Sequence, residues 1–263
     1  MKAIAINKEE KAMPSSRKVA RITGVLLLIE AVTAFVSQGL TEPVLRAPDY
    51  LTSLSAHSTQ ILIGALVALI EVIASASIAI SLYPVLRKSH EGLALGAVGF
   101  GLMKGMCSLV KIIGLLSLVL LSQQLVKAGA PSTSAFQIVG LLTVAITNWA
   151  HSVFGDIALG VSALMYYAVL YQRRLVPRML AFGGLTAGAQ VLVAAVLVLF
   201  GFNPLSFVII SSIVPLFLQG MGLGGWLIVK GFNPGATASQ LGQPATNEQS
   251  STREKRRAFS PMA

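Results

Sequence analysis

Charge is the first thing this chain lacks. Only 11% of its 263 residues are Asp, Glu, Lys or Arg, where a water-soluble domain carries roughly 25%. So few polar side chains cannot cover a body of this length, which excludes an ordinary water-soluble fold. Cysteine is scarcer still: Cys107 stands alone, which excludes an internal disulfide and a thiolate metal cluster. Catalytic signatures are missing as well. The chain holds no H-E-x-x-H, no G-x-S-x-G and no phosphate-cradling glycine loop, the marks of a peptidase, a lipase or a nucleotidase. Gly222-x-Gly224-Gly225 is no dinucleotide fingerprint, because it lies inside an apolar run with no strand before it. The expectation is a non-enzyme with no cofactor and no metal.

What the chain has instead is grease in long blocks. Hydrophobic residues make up 54% and the mean hydropathy is +0.76. Lys and Arg crowd into the ends and the short connectors, leaving runs that approach or exceed about 20 residues, the length a helix needs to cross a bilayer core. Six such runs are predicted as spans, over residues 22–40, 59–83, 92–122, 135–171, 179–200 and 206–229. The third is longer than a bilayer core requires, so it tilts or protrudes. Residues 135–150 join the fourth span because no Gly/Pro break separates them from 151–171. The fold class is therefore an all-α integral membrane protein: a six-helix domain over 22–230 between a polar tail (1–21) and a longer one (231–263) rich in Gly, Ser, Thr, Gln and Pro. That composition predicts disorder.

The net charge of +10 follows from topology rather than from nucleic acid, for which no binding motif is present. The amino-terminal tail, the connectors 84–91 and 172–178 and the carboxy-terminal tail collect nearly all the basic residues. The opposite loops hold Arg46 and Lys127, offset by Glu42 and Asp49. The positive-inside rule then puts both termini in the cytoplasm of a multi-pass protein of the cytoplasmic membrane. The cluster Arg253, Lys255, Arg256 and Arg257 is the one stretch suited to anionic lipid, beyond the membrane lipids that surround the spans. Oligomeric state is not legible here.

Against that background six ionisable residues stand out inside apolar runs: Glu30, Glu71, Lys104, Lys111, His151 and Asp156. Charge at membrane depth is costly and needs a partner. At about 1.5 Å per residue from the cytoplasmic span ends, Glu71, Lys104 and Asp156 fall at roughly 18–23 Å, Lys111 and His151 at roughly 28–30 Å, and Glu30 at about 12 Å. Lys104 with Glu71 or Asp156 is the best-matched pairing, and Lys111 pairs or snorkels outward. His151 precedes Asp156 by five residues, a poor same-face spacing on an α-helix, which argues against a metal pair. The cluster reads two ways: a polar cavity that binds or moves a small solute or ion, or neutralising pairs that staple the helices of a scaffold or sensor. Gly92/Gly96, Gly101/Gly105 and Gly184/Gly188 fit G-x-x-x-G and predict close helix packing within the chain.

Several marks at span ends carry a resemblance: Ala20-Arg21-Ile22-Thr23-Gly24, Leu82-Tyr83, Leu170-Tyr171-x-Arg173, Pro177-Arg178-x-Leu180 and the closing Trp226-Leu227-Ile228-Val229-Lys230-Gly231. In this order the chain resembles the bacterial multi-pass membrane family of domain of unknown function 4386, over roughly residues 17–233. The resemblance implies an inner-membrane protein of several helices and no established activity. It also implies an acidic residue where this chain has Gln219, which argues against a proton relay at that position.

Overall fold

The computed structural model describes residues 2–129, 135–202 and 207–233, and the basic cluster 253–257 lies outside them. Among the described residues every regular element is helical: α1 (Lys2–Leu45), α2 (Tyr50–Ala56), α3 (Ser58–Leu86), α4 (Glu91–Ala128), α5 (Ala135–Asn148), α6 (Asp156–Gln172), α7 (Arg178–Leu199) and α8 (Phe207–Val229). A π-helical turn, Trp149–Gly155, joins α5 to α6. Residues 135–172 thus form one continuous helical rod, as the absence of a breaker predicts. Five stretches are long and apolar enough to cross a membrane: Arg17–Leu45, Ser58–Leu86, Glu91–Ala128, Ala135–Gln172 and Arg178–Leu199. The apolar helix α8 follows.

Two boundaries differ from the sequence expectation. Helix α1 begins at Lys2, inside the segment read from the sequence as a polar tail (1–21); the segment is rich in Ala, Lys and Glu, all good helix formers. The expected polar loop 41–58 is largely helical. α1 continues through Pro43 to Leu45, and α2 occupies Tyr50–Ala56. Leu51 and Leu54 of α2 are buried against Leu115, Leu118 and Leu125, so packing overrides the local polarity.

The long helices close into a ring: α1 packs on α3, α3 on α4, α4 on α6, α6 on α7, α7 on α8 and α8 back on α1. The residue distribution is that of a lipid-immersed bundle. Large side chains such as Met106 (69% exposed) and Ile113 (63%) point outward, while Ala94 and Ala163 are fully buried. Without a hydrophobic driving force between helices in lipid, close backbone approach through small residues holds such a bundle together. A Cβ added to Gly24 of α1 would stand 2.7 Å from the carbonyl oxygen of Gly224 on α8. One added to Gly101 of α4 would stand 2.9 Å from Ala79 Cβ of α3. The expected internal packing holds also for Gly96, Gly105, Gly184 and Gly188, which face Met165, Val72, Tyr167 and Ala163; Gly92 faces nothing within 4 Å.

Candidate functional site

The ring brings α1, α3 and α4 together around one ammonium group. Lys104, on α4, is buried, and close approach at Gly101, one turn earlier, lets its side chain lie between the neighbouring helices. Its Nζ donates to Glu71 Oε1 of α3 at 2.8 Å and to Glu30 Oε1 of α1 at 3.0 Å. Both contacts are ion pairs. The two carboxylates are not equivalent. Glu71 has a side chain 10% exposed and the shorter bond; Glu30 is 20% exposed with the longer one. Two carboxyl groups thus share one ammonium, an arrangement that would carry an excess negative charge were both ionised, in a medium that tolerates none cheaply.

Glu30 and Lys104 also line a narrow cavity of about 30 Å³, together with Ser75, Gly101, Ser162 and Tyr166. Its far end reaches Leu82 and Leu86 near the carboxy-terminal end of α3. That is the end of the bundle where the basic connector 87–90 begins. A cavity of this size is comparable to the volume of one water molecule in the liquid. Organic ligands need pockets of roughly 300–1,000 Å³. Water fits, whereas an organic solute does not.

Axial counting matches Lys104 with Glu71 or Asp156, and the Glu71 pairing is the one the structure shows. The structure also pairs Lys104 with Glu30 and not with Asp156, which makes no ion pair within 4.0 Å among the described residues. Depth counting needs an origin at the membrane surface. Helix α1 supplies none, since it runs unbroken from Lys2. The apparent offset of about 6 Å between Glu30 and Lys104 is within reach of a lysine stem. Among the described residues Lys111, two turns beyond Lys104, likewise makes no ion pair within 4.0 Å.

His151 and Asp156 sit at the π turn. The Asp156 N–H donates to His151 O, five residues back, so the α-helical face rule applied to their spacing does not hold locally. Such turns recur at functional sites. His151 Nδ1 and Ser108 Oγ are buried polar atoms with no hydrogen-bond partner among the described residues, the kind of group that water or an ion satisfies. Among the described residues no group of three or more His, Cys, Asp or Glu could hold a metal ion.

A family model described as Domain of unknown function (DUF4386) matches residues 22–231, which takes in α1 from Ile22 onward, every other helix of the ring and all six intramembrane ionisable residues. The chain belongs to this family. Neither a curated protein nor a solved structure matches it. The DUF4386 domain described here is thus an all-helical, multi-pass membrane domain organised around a buried charge cluster. Gln219, where the family resemblance implies an acid, donates from Nε2 to Leu180 O and so ties α8 to α7. Sequence reasoning passed over Ser75 and Ser108. Each lies four residues after a member of the cluster, Glu71 and Lys104 respectively, and that same-face spacing was the available signal.

Proposed function

We propose that this chain binds and releases a proton at Glu30, inside the membrane, from the end of the bundle that carries the basic connectors. Charge balance carries this reading. Glu71 is the fixed counter-ion of Lys104, and Glu30 is the excess carboxylate. It is also the one that lines the water-sized cavity. Protonation of Glu30 brings the cluster to neutrality while the Lys104–Glu71 pair persists. It also weakens the bond that holds α1 to α4, so that proton binding is felt in the packing of α1. This narrows the possible cargo from a small solute or ion to a proton.

The setting is a bacterial cytoplasmic membrane crossed six times, with α8 as the sixth span and both termini in the cytoplasm. Two observations support that orientation. At 23 residues, α8 is about 34 Å long, enough to cross a bilayer core. Arg46 and Lys127 are the only basic residues of the opposite loops, the Lys/Arg asymmetry that sets orientation. No enzyme activity is proposed.

The alternative is a membrane scaffold or sensor in which Lys104 merely staples α1, α3 and α4, and the specific observation for it is that one ammonium bonds both neighbouring helices. Proton uptake by the purified protein, followed with a pH-sensitive dye in weak buffer after an acid pulse, separates the two. On the proton reading Glu30→Gln removes one bound proton with folding yield intact. If yield falls and proton uptake is unchanged, the staple reading stands.

A further inference from the structure

A second cavity lies at the end of the bundle where α6 stops, α7 starts and α8 stops. Its volume is about 430 Å³, and Arg174, Arg178, Lys230, Trp226, Phe232 and Asn233 line it. Three cations converge there, and among the described residues no acidic side chain lines it. The backbone is tied around it: Asn233 N–H donates to Leu175 O at 2.8 Å, fastening the segment after α8 to the α6–α7 connector. Arg178 stands 5.9 Å over the Tyr171 ring, and all three cationic side chains remain exposed.

Arg174 holds an unusual backbone position. Its φ is +52°, in the left-handed region, where the helix ends at α4, α7 and α8 use Gly129, Gly201 and Gly231. Its N–H donates to Tyr171 O, and that of Leu175 to Leu170 O. This is a helix-ending motif that favours glycine at the Arg174 position. A side chain is carried there at a conformational cost, and that side chain lines the cavity.

We propose that this pocket binds the phosphate headgroup of an anionic phospholipid. The size suits a headgroup. Cations between helix ends at the bilayer surface supply the charge. Trp226 and Phe232 supply the apolar side that a glycerol and upper acyl chain meet, and Trp is favoured at this level of a bilayer. A free phosphate has the same anionic group and no use for those aromatic walls, so the lipid is the source assigned.

Native mass spectrometry of the full chain, released from nanodiscs of mixed phosphatidylglycerol and phosphatidylcholine, tests the assignment. The wild type retains phosphatidylglycerol preferentially. Removing one pocket cation weakens retention by about fivefold, and removing all three (R174G, R178Q, K230Q) by about a hundredfold. The double control R87Q/K88Q, at the same end but outside the pocket, retains the lipid as the wild type does. Arg174→Gly relieves the backbone, so its thermal stability holds or rises while lipid is lost, which separates the effect from misfolding. Three results overturn the proposal: no preference for phosphatidylglycerol, equal loss in the control, or displacement of the lipid by inorganic phosphate, which marks a free-phosphate site.

Discussion

Lys104 Nζ and Glu71 Oε1 lie 2.8 Å apart across the α3–α4 contact, and the same ammonium reaches Glu30 of α1 at 3.0 Å. One side chain therefore links three helices that are distant in sequence. Replacing it removes the only cation within 4.0 Å of one buried and one partly buried carboxylate among the described residues. Lys104→Met is expected to destabilise the fold by about 3–5 kcal/mol, read as a fall in thermal unfolding temperature in detergent. The triple neutral variant E30Q/E71Q/K104M recovers most of that loss, because the unpaired charges and not the missing bonds dominate the penalty.

The neighbouring serine contact sets a useful scale. Ser37 Oγ donates to Gly64 O at 3.0 Å, buried between α1 and α3. Interhelical bonds of this kind contribute about 0.6 kcal/mol on average in a membrane. Ser37→Ala should therefore cost several-fold less than Lys104→Met in the same unfolding assay. A comparable loss from both would mean that the charges carry no special weight.

Close approach at the α1–α8 crossing gives a steric prediction. Gly24→Ala places a methyl group 2.7 Å from Gly224 O, a backbone atom that cannot swing aside, and should cost about 1–3 kcal/mol. Gly99→Ala, whose added Cβ meets nothing within 4 Å, should be neutral or stabilising by about 0.5–1 kcal/mol, since glycine is a poor helix residue. Thermal unfolding of the two variants side by side checks the crossing.

Much of this was legible in the sequence, for a physical reason. Scarce charge and runs near 20 residues have few solutions other than spanning helices, and burial of an ion demands a counter-ion at matching depth. Hence Lys104 could be matched with Glu71 or Asp156 from residue counting alone, and the structure bonds it to Glu71. Glu30 could not, because a helix that starts far outside the membrane offers no zero for the count. Asp156 was the other acid at matching depth, and a count along one axis carries no azimuth with which to choose between it and Glu71. The pocket at Arg174, Arg178 and Lys230 was hidden for a different reason. It joins residues 174–178 to residues 226–233, and only the closure of α8 on α7 brings them together.

Arg174 offers a prediction independent of lipid. Glycine at a left-handed position avoids a cost of about 1–2 kcal/mol that other residues bear. Arg174→Gly in lipid-free detergent should therefore raise the unfolding temperature, and Arg174→Ala should not.

The central claim is that Glu30 exchanges a proton while Glu71 stays ionised beside Lys104. Infrared difference spectroscopy of the membrane-reconstituted protein across a pH step reads the carbonyl stretch of a protonated carboxyl directly. The account predicts one such band that grows as pH falls, vanishes in Glu30→Gln and persists in Glu71→Gln. A spectrum with no titrating carboxyl band, or a band unchanged in Glu30→Gln, would contradict it.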